Sequence, residues 1–235
     1  MEEGSKKLVI IPTYNESEVI TDLVGKVLEV SPDADILVVD DNSPDGTGDI
    51  IDGLSNSDGR INCLHRSKKE GIGPAYIDGF KWAIERGYDH ILQMDADFSH
   101  GPEYVPHLFK LAQEYDLVIG SRYVPGGGTE NWGVVRKIIS IWGSLYAQAI
   151  LWIPIKDLTG GFKCWNKRVL ENIGLNNIQT KGYAFQIETT YRAFKKGYRI
   201  KEYPIVFTDR RVGETKMSRK IFIEAIFAVL RMRIG

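Results

Sequence analysis

Short apolar runs rich in Val, Ile and Leu alternate with segments of helical periodicity along the first half of the chain, and this order most constrains the fold. The apolar runs are predicted strands at residues 7–12, 35–40, 61–65, 90–94 and 117–120, and the predicted helices fill residues 17–30, 49–54, 74–85 and 103–113. Strands of this composition that alternate with helices form a mostly parallel sheet covered by helices on both faces. The sequence therefore predicts an α/β fold, in which ligands bind at the carboxyl ends of the strands.

The length, charge and cysteine content of the chain limit its function class. We expect 235 residues to form one domain with a small C-terminal elaboration. With 30 basic and 31 acidic residues the formal net charge is −1, so no overall field attracts nucleic acid. Cys63 and Cys164 belong to no CxxC motif, and we expect both to be small buried side chains of a protein from a reducing compartment. The charged N-terminus does not fit a signal peptide.

After Gly120 the pattern becomes less regular. The sequence predicts a mobile loop at residues 125–128, helices at 136–153, 183–194 and 219–233, and a strand at 199–207. A glycine-containing stretch at 158–165 separates the first two of these helices, and a basic loop at 209–216 precedes the last. In the first half of the chain, Asn15 and Glu18 have the spacing of a capping box and predict the start of the first helix.

The predicted helix at 136–153 raises the question of membrane contact. Between Lys137 and Lys156 there is no charged residue, a length at the lower edge of a spanning helix. Ser140, Ser144 and Gln148 recur every four residues as a polar stripe, which argues against a span. The pattern fits a helix that lies in a membrane interface, and it fits a half-buried core helix equally well. The last helix, apolar with basic edges, leaves the same two alternatives open.

Acidic residues follow three of the predicted strands. The first strand ends in PTYNE, the second in Asp40-Asp41 and the fourth in Asp95-Ala96-Asp97. Because the carboxyl ends of parallel strands share one edge, we expect these charges to converge. Either a cation or a set of hydrogen-bond donors must compensate them, and a divalent ion such as Mg²⁺ or Mn²⁺ does this well. The sequence contains no P-loop, no complete dinucleotide fingerprint and no GxSxG motif, which argues against those enzyme classes.

Basic residues occupy positions that complement this acidic edge. Arg122 follows the fifth strand, and Arg136 opens the long helix with Ser140 one turn later on the same face. Arg210, Arg211 and Lys216 crowd the late loop. Together these residues predict a site for a metal-bound diphosphate and a second phosphate.

These residues, in this order, resemble the polyprenol-phosphate mannosyltransferases, a branch of the inverting glycosyltransferase family 2. IPTYNE and the DxD motif are shared by many members of family 2, whereas SPDGTG, RKIIS and DRRVGETKMS point to the polyprenol-phosphate branch. The resemblance covers nearly the whole chain, through IPTYNE (11–16), VVDDNSPDGTG (38–48), GIGPAYIDGF (71–80), MDADFSH (94–100), GSRYVPGG (120–127), RKIIS (136–140), DLTGGFKCW (157–165), KGYAFQIE (181–188) and DRRVGETKMS (209–218).

The resemblance implies a single-domain, Rossmann-like fold of the GT-A type. Residues 1–122 would form the nucleotide-sugar-binding half, and residues 123–235 the acceptor-binding half with interfacial helices. The implied reaction moves mannose from GDP-mannose to dolichyl or another polyprenyl phosphate, with Mg²⁺ or Mn²⁺ as cofactor. Since the chain ends without the transmembrane helices of some family members, we expect a peripheral protein at the cytoplasmic face of a membrane.

The resemblance also implies roles for individual residues. The donor would be held by Pro12, Tyr14, Glu16, Val39, Asp41, Asp95, Ala96, Asp97, Arg122, Arg210 and Lys216. Asp95 and Asp97 would bind the metal, with Asp97 as chief ligand, and Asp97 and Arg122 would be the catalytic residues. The lipid phosphate would bind Arg122, Arg136 and Ser140.

The chemistry of the acceptor limits what the site must supply. A phosphate monoester is already anionic, so it needs positioning and charge screening rather than a strong base. Asp157 and Glu188 are polar enough to contact sugar hydroxyls, but their roles stay open. The donor stays open as well, since UDP-glucose or another nucleotide sugar would suit the same motifs. A binding subunit without catalytic activity is the other alternative. Separately, the loop at 209–216 is predicted to be mobile without donor and to close over it when it binds.

Overall fold

The computed structural model describes residues 4–178, 180, 182–209 and 219–234. Its strands are β1 (Lys7–Thr13), β2 (Ala34–Asp40), β3 (Ile61–His65), β4 (His90–Gln93), β5 (Leu117–Ser121), β6 (Gly128–Glu130), β7 (Lys163–Asn166), β8 (Ile200–Pro204) and β9 (Val206–Thr208). Its α-helices are α1 (Ile20–Val30), α2 (Thr47–Ser57), α3 (Ile72–Glu85), α4 (Val105–Ala112), α5 (Val134–Leu151), α6 (Lys167–Asn172), α7 (Tyr183–Lys195) and α8 (Arg219–Ile234).

The main sheet has seven strands in the order β3-β2-β1-β4-β7-β5-β8, and β6 pairs with β9 in a separate two-stranded sheet. All pairs in the main sheet are parallel except those that β7 makes with β4 and β5. The predicted mostly parallel α/β sheet is therefore confirmed. Because β1 lies between β2 and β4, the carboxyl ends of these three strands meet at one edge.

Two apolar clusters, one on each face of the main sheet, form the core. In β1, Leu8 and Ile10 belong to one cluster while Val9 and Ile11 belong to the other, since successive strand residues face opposite sides. A Cβ at Gly79 of α3 would lie only 2.9 Å from Ile10 Cγ2. The missing side chain at Gly79 therefore lets α3 pack close against β1.

Several elements differ from the sequence prediction. The capping box is wrong, because α1 begins at Ile20 after an N-cap without a side-chain hydrogen bond, and the carbonyl of Glu16 accepts the first N–H groups instead. The predicted loop at 125–128 contributes Gly128 to β6, and the predicted strand at 199–207 divides at Ile205 into β8 and β9. The stretch at 158–165 leads into β7, which the sequence did not predict.

The two cysteines are free, as expected, but only Cys164 is fully buried. Cys63 is half-buried on the edge strand β3, where burial raises the pKa of its thiol to about 12. At neutral pH the Cys63 thiol is therefore protonated and a poor nucleophile.

Helix α5 packs with its small polar stripe turned inward. Ser144 and Ala147 are buried against the protein, whereas Trp142 is 67% exposed and Leu145 is 48% exposed. Helix α8 lies alongside, with the hydroxyl of Tyr146 donating a hydrogen bond to a carbonyl of α8 over 3.1 Å. The exposed large apolar side chains of the described residues all lie on these two helices or directly after α5, and we refer to them as the exposed apolar face: Val134, Ile138, Trp142, Leu145, Trp152, Phe227, Leu230 and Ile234. Within the described residues, no helix combines the length and apolar character that a bilayer crossing requires.

Candidate active site

The acidic residues that follow β2 are compensated inside the protein. Asp40 accepts hydrogen bonds from the hydroxyl of Thr13 over 2.8 Å and from the backbone N–H of Ser43 over 2.9 Å. Asp41 forms an ion pair with Arg66. Donors of the protein therefore compensate these two carboxylates, which is one of the two alternatives that the sequence left open.

Arg66 is a residue at this edge that the sequence analysis missed. Besides Asp41, its guanidinium contacts Asp78 over 2.7 Å and Glu70 over 3.0 Å. The side chain is thus held by three carboxylates at the end of β3. Its position directly after a predicted strand is the only signal that the sequence offers.

The other residues expected around a nucleoside lie at the ends of β1 and β2. Pro12 pairs with Val39 in the parallel register of the two strands. The ring centroid of Tyr14 lies 3.6 Å from Lys69 Nζ, and the backbone N–H of Glu16 donates to a threonine hydroxyl at the start of α2 over 3.0 Å. The structure therefore brings the predicted nucleoside residues, Asp41 included, to one edge of the sheet.

The acidic motif Asp95-Ala96-Asp97 follows β4, the middle strand of the sheet. The hydroxyl of Tyr76 donates to Asp95 Oδ1 over 3.3 Å, and Ser99 donates to Asp97 Oδ1 through its backbone N–H over 3.1 Å and through its hydroxyl. Both carboxylates are hard oxygen donors in a fixed orientation. They fit Mg²⁺ or Mn²⁺, which bind through one or two protein carboxylates together with phosphate oxygens and water.

A different cluster of metal-ligating side chains lies elsewhere in the described part of the chain. Ligand atoms of Asp52, Cys63 and His65 lie within 4.8 Å of one another at the edge strand β3. This cluster is half exposed and separate from the Asp95-Ala96-Asp97 motif in the middle of the sheet.

His100 supports the acidic motif and was also missed from sequence. Its Nδ1 accepts the backbone N–H of Asp95 over 3.0 Å, and its ring stacks on Phe162 with centroids 4.8 Å apart. Burial lowers the pKa of His100, against the opposing influence of the Asp95 and Asp97 carboxylates. The ring is therefore neutral with its proton on Nε2, and it fixes the backbone of the motif without adding a positive charge.

Arg122, at the end of β5, is oriented by a buried two-pronged ion pair. Its Nε and Nη2 contact the two carboxylate oxygens of Asp157 over 2.7 and 2.6 Å, and Nη2 also donates to the hydroxyl of Thr159 over 2.9 Å. Burial by itself would raise the pKa of Asp157, which is 0% exposed, but the Arg122 guanidinium outweighs this and lowers it. Asp157 therefore orients Arg122, a role that the sequence left open.

Two aromatic rings join Arg122 to the start of α5. The ring centroid of Trp132 lies 5.4 Å from Arg122 Cζ and 4.2 Å from Arg136 Cζ. The hydroxyl of Tyr123 donates to Ser140 Oγ over 2.7 Å, and its ring centroid lies 5.1 Å from Arg122 Cζ. The structure thus brings together the three residues predicted to receive a phosphate, around aromatic side chains that the sequence analysis did not single out.

The late basic loop is only partly described. Arg210 and Lys216, predicted to contact the donor, lie outside the described residues. Asp209 forms an ion pair with Arg136, and its backbone N–H donates to the carbonyl of Glu130 over 3.1 Å. The loop therefore begins next to the cationic start of α5.

Glu188 is engaged by residues of the protein. It accepts hydrogen bonds from Thr180 Oγ1 over 2.6 Å and from Arg192 Nε over 2.8 Å. The carboxylate thus links α7 to the segment before it, although its part in any reaction stays open.

A fully buried lysine lies behind the site. Lys163 Nζ donates to the backbone carbonyl and the side-chain Oε1 of Gln186 over 2.7 and 3.0 Å. Burial lowers the pKa of Lys163 from 10.5 to about 7, although the Asp157 carboxylate acts in the opposite direction. The sequence did not single out Lys163, because a lysine near predicted loops gives no sign of burial.

Comparisons of the sequence with known proteins identify its relatives. A sequence model of the family described as "Glycosyl transferase family 2" matches residues 8–174. The chain is 48% identical over 224 residues to "Undecaprenyl-phosphate mannosyltransferase" from Micrococcus luteus, with 95% of this chain and 92% of the relative covered. It is 45% identical over 226 residues to "Polyprenol monophosphomannose synthase" from Mycolicibacterium smegmatis, with 95% and 85% covered.

Solved structures share the fold at much lower sequence identity. Glucosyl-3-phosphoglycerate synthase from Mycobacterium tuberculosis, solved with Mn²⁺, UDP and phosphoglyceric acid, has a TM-score of 0.70 at 16% identity and covers 99% of this chain and 79% of its own. The mannosyltransferase PcManGT from Pyrobaculum calidifontis, solved with GDP-Man and Mn²⁺, has a TM-score of 0.59 at 15% identity, with 98% and 70% covered. The family match and the curated relatives together establish that the chain belongs to glycosyl transferase family 2 and is a glycosyltransferase.

Proposed function

We propose that this enzyme transfers mannose from GDP-mannose to a polyprenyl phosphate, with inversion at the anomeric carbon, to give a polyprenyl β-mannosyl phosphate. The position of Arg122 carries this proposal. Its Cζ lies 5.5 Å from the ring centroid of Phe207, which also lies 5.3 Å from the ring of His100, next to the acidic motif. On its other side, Arg122 shares Trp132 with Arg136. Arg122 thus lies between the proposed diphosphate site and a second cationic site.

The donor would bind along the edge formed by β1, β2 and β4. Pro12, Tyr14, Glu16, Val39 and Asp41 would surround the nucleoside, and Asp95, Ala96 and Asp97 would lie against the ribose and diphosphate. Mg²⁺ or Mn²⁺, held by Asp97 and Asp95, would stabilise the negative charge of the departing nucleoside diphosphate. Arg210 and Lys216 are proposed to contact the diphosphate from the late loop.

The acceptor would bind at the start of α5. Arg136 and Ser140 would place the lipid phosphate, while Arg122 would contact both the acceptor phosphate and the leaving diphosphate. Because Asp157 holds the guanidinium of Arg122 in a fixed plane, little reorganisation is needed as charge shifts from one phosphate to the other. A phosphate monoester is a competent nucleophile without a general base, so we assign none. The catalytic residues of this proposal are Asp97 and Arg122.

The exposed apolar face of α5 and α8 would bring the site to a membrane. A polyprenyl phosphate keeps its phosphate at headgroup level, so the start of α5 must approach that level. Trp142 and Trp152 are exposed aromatic side chains of the kind that favour the interface, and the exposed Arg231 and Arg233 of α8 complement anionic lipid. We propose peripheral binding at the cytoplasmic leaflet.

The names of the curated relatives support the proposed acceptor and the transferred sugar more directly than they support guanine as the nucleobase of the donor. Both relatives are named for transfer of mannose to a polyprenyl phosphate. Among the structural neighbours, one is described with GDP-Man and another with UDP, so the fold accommodates either base. A polyprenyl-phosphate glycosyltransferase that uses UDP-glucose or another nucleotide sugar is therefore the alternative that an experiment must separate.

A donor screen tests the proposed function. The purified chain is incubated with polyprenyl phosphate, Mn²⁺ and either GDP-mannose, UDP-glucose or another nucleotide sugar, and the lipid product is identified by mass spectrometry. We expect a mannosyl phospholipid from GDP-mannose, with β configuration by NMR, and none after chelation of the metal. Asp97→Asn serves as the matched control for contaminating activity. Preference for another donor would establish the alternative, and nucleotide binding without transfer would indicate a silent subunit.

A further inference from the structure

Four buried polar side chains form a continuous hydrogen-bonded chain behind the acidic motif. Trp165 Nε1 donates to Gln93 Oε1 over 2.6 Å, and Gln93 Nε2 donates to Gln186 Oε1 over 2.9 Å. Lys163 Nζ donates to the same Gln186 Oε1 over 3.0 Å. The side chains of Gln93, Trp165 and Lys163 are 0% exposed, and Gln186 is 4% exposed.

The two ends of this chain determine the orientation of the Gln186 amide. An indole N–H and a lysine amine are donors at these contacts, so each must meet an oxygen. Trp165 therefore sets the oxygen of Gln93 toward itself, which turns the Gln93 nitrogen toward Gln186. Lys163 sets the oxygen of Gln186 toward itself from the other side. Both constraints require that the Nε2 amide of Gln186 point away from Gln93 and Lys163.

The Gln186 amide faces the space beside the acidic motif. A Cβ built on Gly161 would lie 3.4 Å from Gln186 Nε2, 3.5 Å from His100 Cε1 and 3.7 Å from Asp95 Oδ1. The amide and the first carboxylate of the motif therefore flank the same glycine, where no side chain fills the space between them. In the described part of the chain, no residue accepts a hydrogen bond from Gln186 Nε2. The Nε2 amide is therefore available to donate a hydrogen bond to a ligand that enters this space.

From this geometry we propose that Gln186 binds a hydroxyl oxygen of the hexose of the nucleotide-sugar donor through its Nε2 amide, with Lys163 and Gln93 as positioning residues. This inference rests on the proposed function, because it requires a nucleotide sugar bound at the acidic motif. The space above Gly161 belongs to the hexose because it lies on the side of Asp95 that faces β7, away from the nucleoside residues of β1 and β2.

The neutral character of the amide favours a hydroxyl over a phosphate. Arg122 supplies the positive charge that a diphosphate requires, whereas Gln186 adds a donor without charge beside Asp95. An amide whose oxygen is held by two donors also discriminates well, because a donor sugar that lacks the matching hydroxyl leaves its N–H group unsatisfied.

The first test compares GDP-mannose with GDP by calorimetry in the presence of Mn²⁺. Gln186→Met keeps the length of the side chain and removes the amide donor. We expect it to weaken binding of GDP-mannose about 5- to 10-fold, the effect of one hydrogen bond, and to leave GDP binding unchanged. Gln113→Met, at the exposed position directly after α4, is the matched control and should change neither affinity.

A second variant tests the same space without altering the buried chain. In Gly161→Ala the added methyl makes ordinary van der Waals contacts with its neighbours, so the protein should keep its melting temperature. The methyl would intrude between Gln186 and Asp95, and we expect GDP-mannose to bind more weakly while GDP is unaffected. This variant keeps the proposal testable if Gln186→Met does not fold.

Deoxy analogues of the donor identify the hydroxyl. With the unaltered protein, one of the GDP-deoxymannoses should bind about 5- to 10-fold more weakly than GDP-mannose, and in Gln186→Met that difference should disappear. If the unaltered protein binds no nucleotide sugar, the proposed function itself fails. If it binds GDP-mannose but both variants bind it normally, or weaken GDP equally, the assignment of Gln186 to the sugar is overturned.

Discussion

The buried Lys163 makes the stability of this protein depend on pH in an unusual direction. Burial lowers the pKa of its ammonium group from 10.5 to about 7, so near neutral pH the folded protein holds this proton only part of the time. The unfolded chain, in contrast, keeps the proton up to about pH 10. Unfolding therefore takes up a proton across this interval. The burial of Lys163 therefore destabilises the folded protein most at pH values below the pKa of about 7, and this destabilisation declines as the pH rises toward 10.5.

The size of this effect follows from the two pKa values. Linkage with a folded pKa of about 7 and an unfolded pKa of 10.5 predicts that the free energy of unfolding rises by about 2 kcal/mol between about pH 7 and pH 9. The charged groups that act on Lys163 are Asp157, which favours its charged form, and Arg122, which opposes it. Both keep their charge across this interval, so neither masks the change.

The assay is urea unfolding at about pH 7 and pH 9, with the unaltered protein and Lys163→Met side by side. Because other groups titrate equally in both proteins, the difference between their free energies of unfolding isolates Lys163. We expect the unaltered protein to gain about 2 kcal/mol on the variant as the pH rises. Calorimetric unfolding of the unaltered protein in buffers of different ionisation enthalpy measures the proton uptake directly. If unfolding takes up no proton, and the two proteins differ by the same free energy of unfolding at both pH values, then the pKa of Lys163 is not lowered by burial.

The proposed site leads to further predictions. Asp97→Asn removes a charged metal ligand and should lower transfer by at least about 100-fold while leaving the melting temperature nearly unchanged. Arg136→Ala should raise the KM for polyprenyl phosphate about 10-fold or more, with little effect on the KM for the nucleotide sugar, because only the acceptor phosphate loses a charged partner. Asp157→Asn should destabilise the protein by roughly 3 kcal/mol or more, since it leaves the Arg122 guanidinium buried beside a neutral partner, and it should lower kcat as Arg122 loses its orientation. Replacement of Trp142 and Leu145 by Asp should reduce binding to anionic liposomes in flotation assays, whereas calorimetry should find donor binding retained.

Each of these predictions has an outcome that contradicts it. Normal activity of Asp97→Asn across metal concentrations would remove this residue from the metal site. Equal changes of both KM values in Arg136→Ala would place this arginine at the donor or in folding. An unchanged melting temperature for Asp157→Asn would mean that the buried ion pair contributes little. If the variant with Asp at positions 142 and 145 binds liposomes as well as the unaltered protein does, this face is not the docking surface. Lys137→Ala, at an exposed position of the same helix, is a comparison variant with a smaller change.

Much of the acidic edge could be predicted from local sequence. The end of an alternating or continuous apolar pattern predicts the end of a strand, and the residues that follow it must lie at the edge of the sheet. Asp95 and Asp97 follow β4 in this way, and Arg122 follows β5. The start of α5, with Arg136 and Ser140 one turn apart, was equally visible because helical periodicity is a local property.

The partners of these residues were not visible from the sequence. Arg122 and Asp157 are 35 positions apart, and they meet because β7 enters the sheet antiparallel between β4 and β5. The sequence contains the lysine and glutamine of the buried chain, but Lys163 and Gln186 resemble ordinary polar residues until β7 and α7 pack together. The sequence did not show which group would compensate Asp41, and the fold supplied Arg66.

Helix α5 illustrates the boundary between what the sequence determines and what the tertiary structure decides. The sequence determines that Ser140, Ser144 and Gln148 share one stripe and that Trp142 and Leu145 lie on another, because the helical repeat sets which residues lie together. Only the packed structure decides that Ser144 is buried while Trp142 is 67% exposed. The side of a helix that meets the core depends on the volume and polarity of distant segments, here the Arg122 site and α8. Periodicity fixes neighbours along a chain, but burial is settled by contacts between segments that only folding brings together.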